Sequence, residues 1–422
     1  MYMRKMKDSG IEWIGEIPEG WDIKRGKHIL TILERPVLDN DEVITCFRDG
    51  EVTLRSNRRE EGYTFSLQEI GYQGIEHGDL VVHGMDGFAG AIGISDSRGK
   101  GTPVLNVMDS VQNKRYLMYY LRCAAYCGLF LSLATGIRVR SCDTNWNKLK
   151  SVLYLLPSIR VQNRIAAYLD VKTAAIDDAI AKEQTLIDKL AVYKQSLITE
   201  TVTKGLTPDA TMKDSGVEWI GAIPAHWTVS NIARIATVVR GASPRPAGDP
   251  RFFNGNDVPW ITVAEVTNSD GNYVNQTETY LTHEGAKRSR IVPANTLLLS
   301  NSGATLGVSK ITKIQGCIND GSVAFYNLTV NQLFLLYVFR ALTFELRKQM
   351  QGYGQPNLNT TIIKGISIAI PSSIEQQQIA DYLDAKCAAI DANIAKRRTM
   401  IEKLTQYKKS LIYEAVTGKM EI

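Results

Sequence analysis

"IAAYLDVKTAAIDDAI" (Ile165–Ile180) returns as "IADYLDAKCAAIDANI" (Ile379–Ile394), 214 residues further along the chain. Around it, Leu169, Ile176, Leu190 and Leu197 recur at multiples of seven, with Ile180 and Ile187 four residues after such positions. The second copy repeats the pattern with Leu383, Ile390, Leu404 and Leu411, plus Ile394 and Ile401. This is a heptad seam. No Pro or Gly interrupts it between Ser158 and Lys204 or between Ser372 and Thr417. Each tail is therefore predicted to be one helix of about 45 residues, roughly 65 Å long, and Gly205 and Pro208 end the first. So narrow an apolar stripe cannot bury itself. The natural partner is its own copy, in an antiparallel coiled coil within one molecule, with the halves forming an internal pseudo-twofold repeat.

A second echo fixes the extent of the duplication. "KDSGIEWIGEIPEGW" (7–21) and "KDSGVEWIGAIPAHW" (213–227) share 11 of 15 positions at an offset of 206. Each half is a repeated head, a divergent body (22–156 and 228–370) and a repeated tail. The heads carry Trp13 and Trp21, or Trp219 and Trp227. A tryptophan pair could stack on bases, but identity between halves that otherwise differ favours a shared packing role.

Each body reads as short alternating strands, one helix, a polar loop and a last strand. The helices are predicted near Lys114–Ala134 and Gln332–Gln349. In the second body, "DVPWITVAEV", "NTLLLSNSGATLGVSKI" and "GSVAFYNL" read as strands, and "IKGISIAI" and "LKSVLYLL" as the last strands of the two bodies. The fold class is α+β: two mixed α/β domains separated by a long two-helix coiled coil. A common scaffold with different loops is suited to two specificities.

Bulk properties restrict the options. The 422 residues suffice for two to four domains. The apolar runs at Tyr116 and Leu333 are interrupted by Arg122 and Arg340, and the N-terminus lacks a secretory signal. A cytoplasmic protein without membrane contact is expected. The six cysteines make no disulfide or zinc pattern. The net charge of +5 permits nucleic-acid binding without requiring it. The second body has 13 Lys+Arg against 8 Asp+Glu, the first 17 against 16.

The two "KDSGxEWIGxIP" heads, the two "IAxYLDxKxAAIDxxI" tails, "TKGLTPDA" between the halves and "VTGK" near the end together resemble the DNA-specificity subunit of type I restriction-modification systems. The resemblance covers essentially the whole chain. It departs where "SIRVQNRIA" opens the first tail in place of an acidic "SIEQQQIA". It implies a division into a first target-recognition domain (1–156), a first long helix (157–205), a linker, head and second target-recognition domain (206–370), and a second long helix (371–422). It also implies that the chain is not an enzyme. Each domain would read one half of a bipartite, asymmetric site in double-stranded DNA. The paired helices would set the spacing and dock two methyltransferase (modification) subunits for adenine methylation, joined by restriction/motor subunits. The chain would hold no cofactor, and S-adenosylmethionine, ATP and Mg2+ would serve the partners. In agreement, no methyltransferase "NPPY" or "DPPY" motif and no phosphate-loop motif occurs.

Phosphates are met by Lys and Arg, and base edges by Arg, Asn and Gln. The candidates in the second body are Arg240, Ser243 and Arg245, then Lys287, Arg288 and Arg290, then Gln355, Asn357 and Asn359. The first body offers Arg55, Arg58 and Arg59, and Arg138, Arg140 and Asn145. Two other readings compete. A purely structural adaptor predicts no salt-dependent DNA affinity. A stand-alone nuclease needs a cluster of acidic metal ligands, which the sequence does not display.

Overall fold

The computed structural model describes residues 4–58, 70–133, 144–269, 271–301, 306–348 and 358–422, with side chains as far as residue 343 in the fifth stretch. Both tails form the expected long helices, Ile159–Lys204 and Ser373–Val416. Gly205, at φ +77°, ends the first. The chain divides into two compact units, Met1–Glu183 with Thr399–Ile422, and Gln184–Arg398. The division falls within both long helices.

In each unit taken alone, two helix segments run antiparallel. In the first, Arg164 bonds the carbonyl of Ile422 and Asp177 pairs with Lys408 at 2.6 Å. Ile165, Leu169 and Ile176 share a core with Leu411, Ile412 and Ala415. In the second unit Lys194 pairs with Asp391, also at 2.6 Å, and Ile198 and Val202 share a core with Ile379, Leu383 and Cys387. Asp177–Lys408 and Asp391–Lys194 are one ion pair written twice, since both residues move by 214 positions. Such exposed pairs contribute about 0–1 kcal/mol. They select register, while the apolar seam supplies the stability.

The heads are hairpins: Met6–Asp8 pairs with Glu16–Pro18, and Met212–Asp214 with Ala222–Pro224. Asp8 Oδ1 accepts from the Gly10 amide at 3.0 Å and Ser9 Oγ from Ile11 at 3.1 Å; Asp214 and Ser215 do the same at 3.0 and 3.2 Å. Gly10 and Gly15, like Gly216 and Gly221, have φ near +70°, a conformation costly for any residue with a Cβ. Turn chemistry thus accounts for the repeated "DSG" and the glycine that follows. The tryptophans pack, as the identity of the heads suggested. Trp21 and Trp227 are 3% and 1% exposed, Trp13 lies 5.8 Å from Tyr120, and Trp219 donates to Ser367 O. Burial removes Trp21 and Trp227 as base-stacking platforms.

Each body is closed where it leaves the head and enters the tail. Asp22–Arg25 pairs with Leu153–Leu156, and Thr228–Asn231 with Ser367–Ile370. The first body's sheet runs, in order, Thr31–Ile32, Leu105–Asp109, Leu80–His83 and Ile92–Ile94. The second body has one sheet of Thr237–Arg240, Ser322–Tyr326, Thr296–Ser300, Ser309–Thr312 and Tyr273–Val274, and another of Tyr280–Leu281, Phe253–Ile261, Gly316–Ile318 and Arg290–Val292. One predicted strand changes character: after Ile261 the chain becomes a helix, Val263–Asn268, because Thr262 caps it by accepting from Glu265 N. The first body helix spans Lys114–Tyr126 and breaks at Gly128 (φ +79°) before a short turn, Leu129–Ser132, rather than continuing to Ala134. The second spans Gln332–Lys348. Among the described residues no helix is long and apolar enough to cross a membrane.

Body and tail are bolted together identically in both units. Asn113 and Asn331 cap the body helices, and their own amides donate to the buried Gln162 and Gln376 at 3.1 and 2.7 Å. Tyr119 OH donates to Asp170 at 2.9 Å and Tyr337 OH to Asp384 at 3.2 Å. These aspartates are the last letter of the repeated "YLD". At the head–tail junction the units differ. Glu375 meets His226 (2.8 Å), Trp227 Nε1 (3.1 Å) and Ser372 Oγ (2.7 Å); the first copy has Val161 and Gly20 at the equivalent positions. Burial pushes the Glu375 carboxyl up, but hydrogen bonds from His226, Ser372 and Trp227 outweigh it and hold the group down at about 2.

A carboxyl depressed in the folded state stabilises above its unfolded value and loses that contribution as pH falls through the folded one. The wild-type urea midpoint should therefore drop between pH 5 and pH 2 more than that of E375Q. Parallel curves for the two proteins would deny Glu375 this part.

Candidate nucleic-acid interface

In the second body, segments far apart in sequence meet at the turn Ile318–Ser322. Asp320 is the hub: its backbone carbonyl accepts from Arg240 Nε at 2.8 Å, its Oδ1 from Ser243 Oγ at 2.6 Å and its Oδ2 from an Arg245 guanidinium nitrogen at 3.3 Å. Gly241 lies against Asn319 so closely that a Cβ would stand 2.1 Å from the carbonyl oxygen. The second candidate segment joins through Ser289, whose Oγ donates to Ala242 O at 2.6 Å, and through Arg290, which pairs with Ile318 in the sheet. The third arrives through Leu358: its amide donates to Asn301 O at 2.8 Å, and the Asn301 amide donates to Gly321 O at 2.9 Å.

Beside this hub Arg288 lies 4.4 Å over the ring of Phe252, and Arg251 lies 5.3 Å from the same ring. Arg251 is held by Asp249 at 2.6 Å, and its hydrogen bonds keep the Asp249 carboxyl down at about 2. Arg288 and Lys287 lie near Glu284, at 3.4 and 4.0 Å. Arg245, Lys287 and Arg288 keep half or more of their side-chain surface exposed. The arrangement offers outward guanidinium and ammonium groups on anchored stems, as phosphate and guanine contacts require. Arg251, Phe252 and Asp320 were not among the sequence candidates. "DPR" at 249–251, an acid two residues before an arginine, was the available signal; nothing local marks Asp320.

Among the first body's described candidates, Arg55 and Arg58 share one short turn, where Arg58 N donates to Arg55 O at 3.1 Å. Arg58 stacks 4.2 Å over Phe47 and pairs with Asp49 (2.7 Å) and Glu51 (2.8 Å), so its charge is matched twice. Arg55 Nε donates to Thr45 Oγ1 at 3.3 Å. Arg122 reaches from the body helix to Gly50 O at 2.7 Å and holds this turn in place. Arg48, also absent from the candidates, pairs with Asp86 at 2.8 Å. Arg59, Arg138, Arg140, Gln355 and Asn357 lie outside the described residues.

Asn145 and Asn359 occupy equivalent places, 214 residues apart, and share an occupation that spacing did not reveal. Asn145 Oδ1 accepts from Lys148 N at 3.2 Å and Asn359 Oδ1 from Ile362 N at 2.8 Å, capping the short helices Trp146–Leu149 and Thr360–Gly365 that lead into the closing strands. Among the described residues no group of three or more His, Cys, Asp or Glu is placed to hold a metal ion.

Two strand-built bodies are each fastened to a long helix, and in the second of them polar segments meet at one turn. Residues 224–403 match the family model of the type I restriction modification DNA specificity domain. The type I restriction enzyme MjaIX specificity subunit of Methanocaldococcus jannaschii is 32% identical over 193 residues, which span 44% of this chain and 43% of that protein. The putative MjaX specificity subunit of the same organism is 24% identical over 444 residues, 97% of this chain and 96% of that one. A chain from a structure described as showing complex assembly and conformational transition of the type I R-M system superposes with a TM-score of 0.72 at 16% identity, over 96% of this chain and 99% of that one. That last likeness is one of fold. The chain is thus similar to type I restriction enzyme specificity subunits, in residues 224–403 by the family model and over nearly its whole length by the MjaX protein.

If Asn359 only caps, N359D should keep stability and DNA affinity alike, whereas N359A loses about 1 kcal/mol. Reduced affinity shared by stable N359D and by the uncharged cap variant N359S, measured by titration with duplex DNA, would assign the side-chain amide a reading role as well.

Proposed function

We propose that this chain is the non-catalytic DNA reader of a type I restriction-modification complex. Each body reads one half of a bipartite, asymmetric site, and the two long helices set the distance between the half-sites. The helices also dock two methyltransferase subunits, which use S-adenosylmethionine to methylate adenine, and restriction/motor subunits join with ATP and Mg2+. The observation that carries the reading is the meeting of two basic segments of the second body, 240–245 and 287–290, at Ile318–Ser322, with Asp320 aligning Arg240, Ser243 and Arg245. A surface of this kind gains affinity from phosphates and specificity from the few side chains that reach base edges. Arg288 and Arg251, steadied on Phe252, fit the first task; the Asp320 cluster fits the second.

Independent reading is tested by exchanging residues 228–370 for the body of another specificity subunit. One half of the methylated site should change and the other remain, as read by mapping modified adenines in a host carrying the whole system. A change in both halves, or in neither, would end the proposal of independent readers.

The helices as a ruler make a separate claim. One heptad inserted after Lys182 and another after Lys396 keep both seams in register and lengthen each helix by about 10 Å. The same two half-sequences should then be methylated with roughly one to three more base pairs between them, at about 3.4 Å per base pair. An active variant with unchanged spacing would show that the gap is set elsewhere.

A further inference from the structure

In the second unit a cleft of about 790 Å³ opens between the body and the long helices. Its helical wall is apolar and mostly small: Ala191 and Ile198 come from the first long helix, and Ala388, Ala392, Ile394 and Ala395 from the second. The body contributes Ser269, Gly271, Gly307 and Thr343. Among the described lining residues, four side chains are cationic, Lys194, Lys310, Arg340 and Arg398, and one, Asp391, is a carboxylate that faces them near the rim.

Lys194 is paired with Asp391 at 2.6 Å. Lys310 Nζ donates to Ser269 O at 2.6 Å and to Gly271 O at 2.5 Å. The arginines are held differently. Arg340 donates to Gly271 O at 3.1 Å and lies 5.4 Å over the Tyr337 ring, and neither Arg340 nor Arg398 has a carboxylate within ion-pair distance among the described residues. Burial lowers the pKa of the Arg340 guanidinium. A desolvated cation with a carbonyl for its partner carries a cost that a bound anion would offset.

The first unit fills the matching place with backbone. Arg122, on the matching body helix, donates to Gly50 O at 2.7 Å as Arg340 does to Gly271 O. There Gly93 stands opposite Val81 in the sheet, and a Cβ on it would lie 2.1 Å from Gly50 O, so the turn rests on the strand. In the second unit the residue in that position, opposite Leu298, is Lys310. Its side chain spans from strand to turn, and the cleft lies beside it.

From this geometry we infer that the cleft binds a nucleoside phosphate, with its phosphates on Arg340 and Arg398 and its base on the alanine wall. The volume and the pairing of an apolar wall with a few charged groups are those of a small-ligand pocket. Guanidinium groups take phosphate oxygens in pairs, and small side chains let a flat ring approach the helices. A duplex keeps its bases stacked inside and cannot lay one on this wall. The ligand has no part in the DNA reading proposed above.

The test titrates the full chain, without partners, with ATP, adenosine and tripolyphosphate, heat being the readout. ATP should bind at one site, and adenosine without the anion and tripolyphosphate without the ring should each bind at least about tenfold more weakly. R398E, which reverses a charge, and A395W, which fills the wall, should each lower ATP affinity by about tenfold or more, with R398K between R398E and the wild type. Arg398 and Ala395 are exposed, so thermal melting of these variants and their salt-dependent binding to duplex DNA should match the wild type. No saturable ATP binding by the wild type up to about 5 mM, or binding that R398E and A395W leave unchanged, would overturn the inference and leave the DNA-reading proposal standing. Tripolyphosphate bound as tightly as ATP would reject the nucleoside. Competition between duplex DNA and ATP, with DNA affinity lost in R398E, would assign the cations to DNA phosphates and reject a small ligand.

Discussion

The apolar seam along the two long helices is the constraint on which the rest depends. A helix of this length with so narrow a stripe is unstable alone in water, so the seam must be covered by another helix. In both units the cover is the counterpart helix running the opposite way, in the register marked by Asp177–Lys408 and by Lys194–Asp391. The ion pairs are too exposed to supply much energy. They penalise a slipped register, in which each charge would face the wrong neighbour.

From that pairing follows a composition of each unit that a linear reading does not suggest. The first head packs with the end of the second tail: Tyr413 OH donates to Ile14 O at 3.2 Å, and a Cβ on Gly418 would meet Pro18 at 2.6 Å. The second head packs with the end of the first tail, where a Cβ on Gly205 would stand 3.0 Å from the Trp227 ring. Every unit is thus a head, its body, the start of its own tail and the end of the other. The shared aspartates Asp170 and Asp384 hold the body helices through Tyr119 and Tyr337. Loops can then diverge without disturbing the mount, which is the property a reader of changeable specificity needs.

The two candidate surfaces are built differently. In the second body, carboxylates serve as alignment points: Asp320 holds Ser243 and Arg245 through its carboxylate and Arg240 through its backbone carbonyl, and Asp249 and Glu284 steady arginines that remain largely exposed. In the first, Arg58 is matched by both Asp49 and Glu51. Arg245, Lys287 and Arg288 of the second body keep half or more of their side-chain surface exposed, where counterion release from DNA would act.

The duplication, the length and pairing of the helices and the packing role of the tryptophans were legible in the amino-acid sequence, because they rest on periodicity and on identity between copies. The basic segments Arg240–Arg245 and Lys287–Arg290 were legible as residue types in polar stretches. Only the tertiary structure decided that these two segments meet, since the turn that joins them, Ile318–Ser322, is made by strands paired across the sheet and leaves no trace in local spacing. It also decided that Asn145 and Asn359 cap helices, because an asparagine looks the same in sequence whether its carbonyl faces a backbone amide or solvent. Finally, it placed the unit boundary inside the helices, since a heptad pattern specifies a buried stripe without saying which body rests on each end of it.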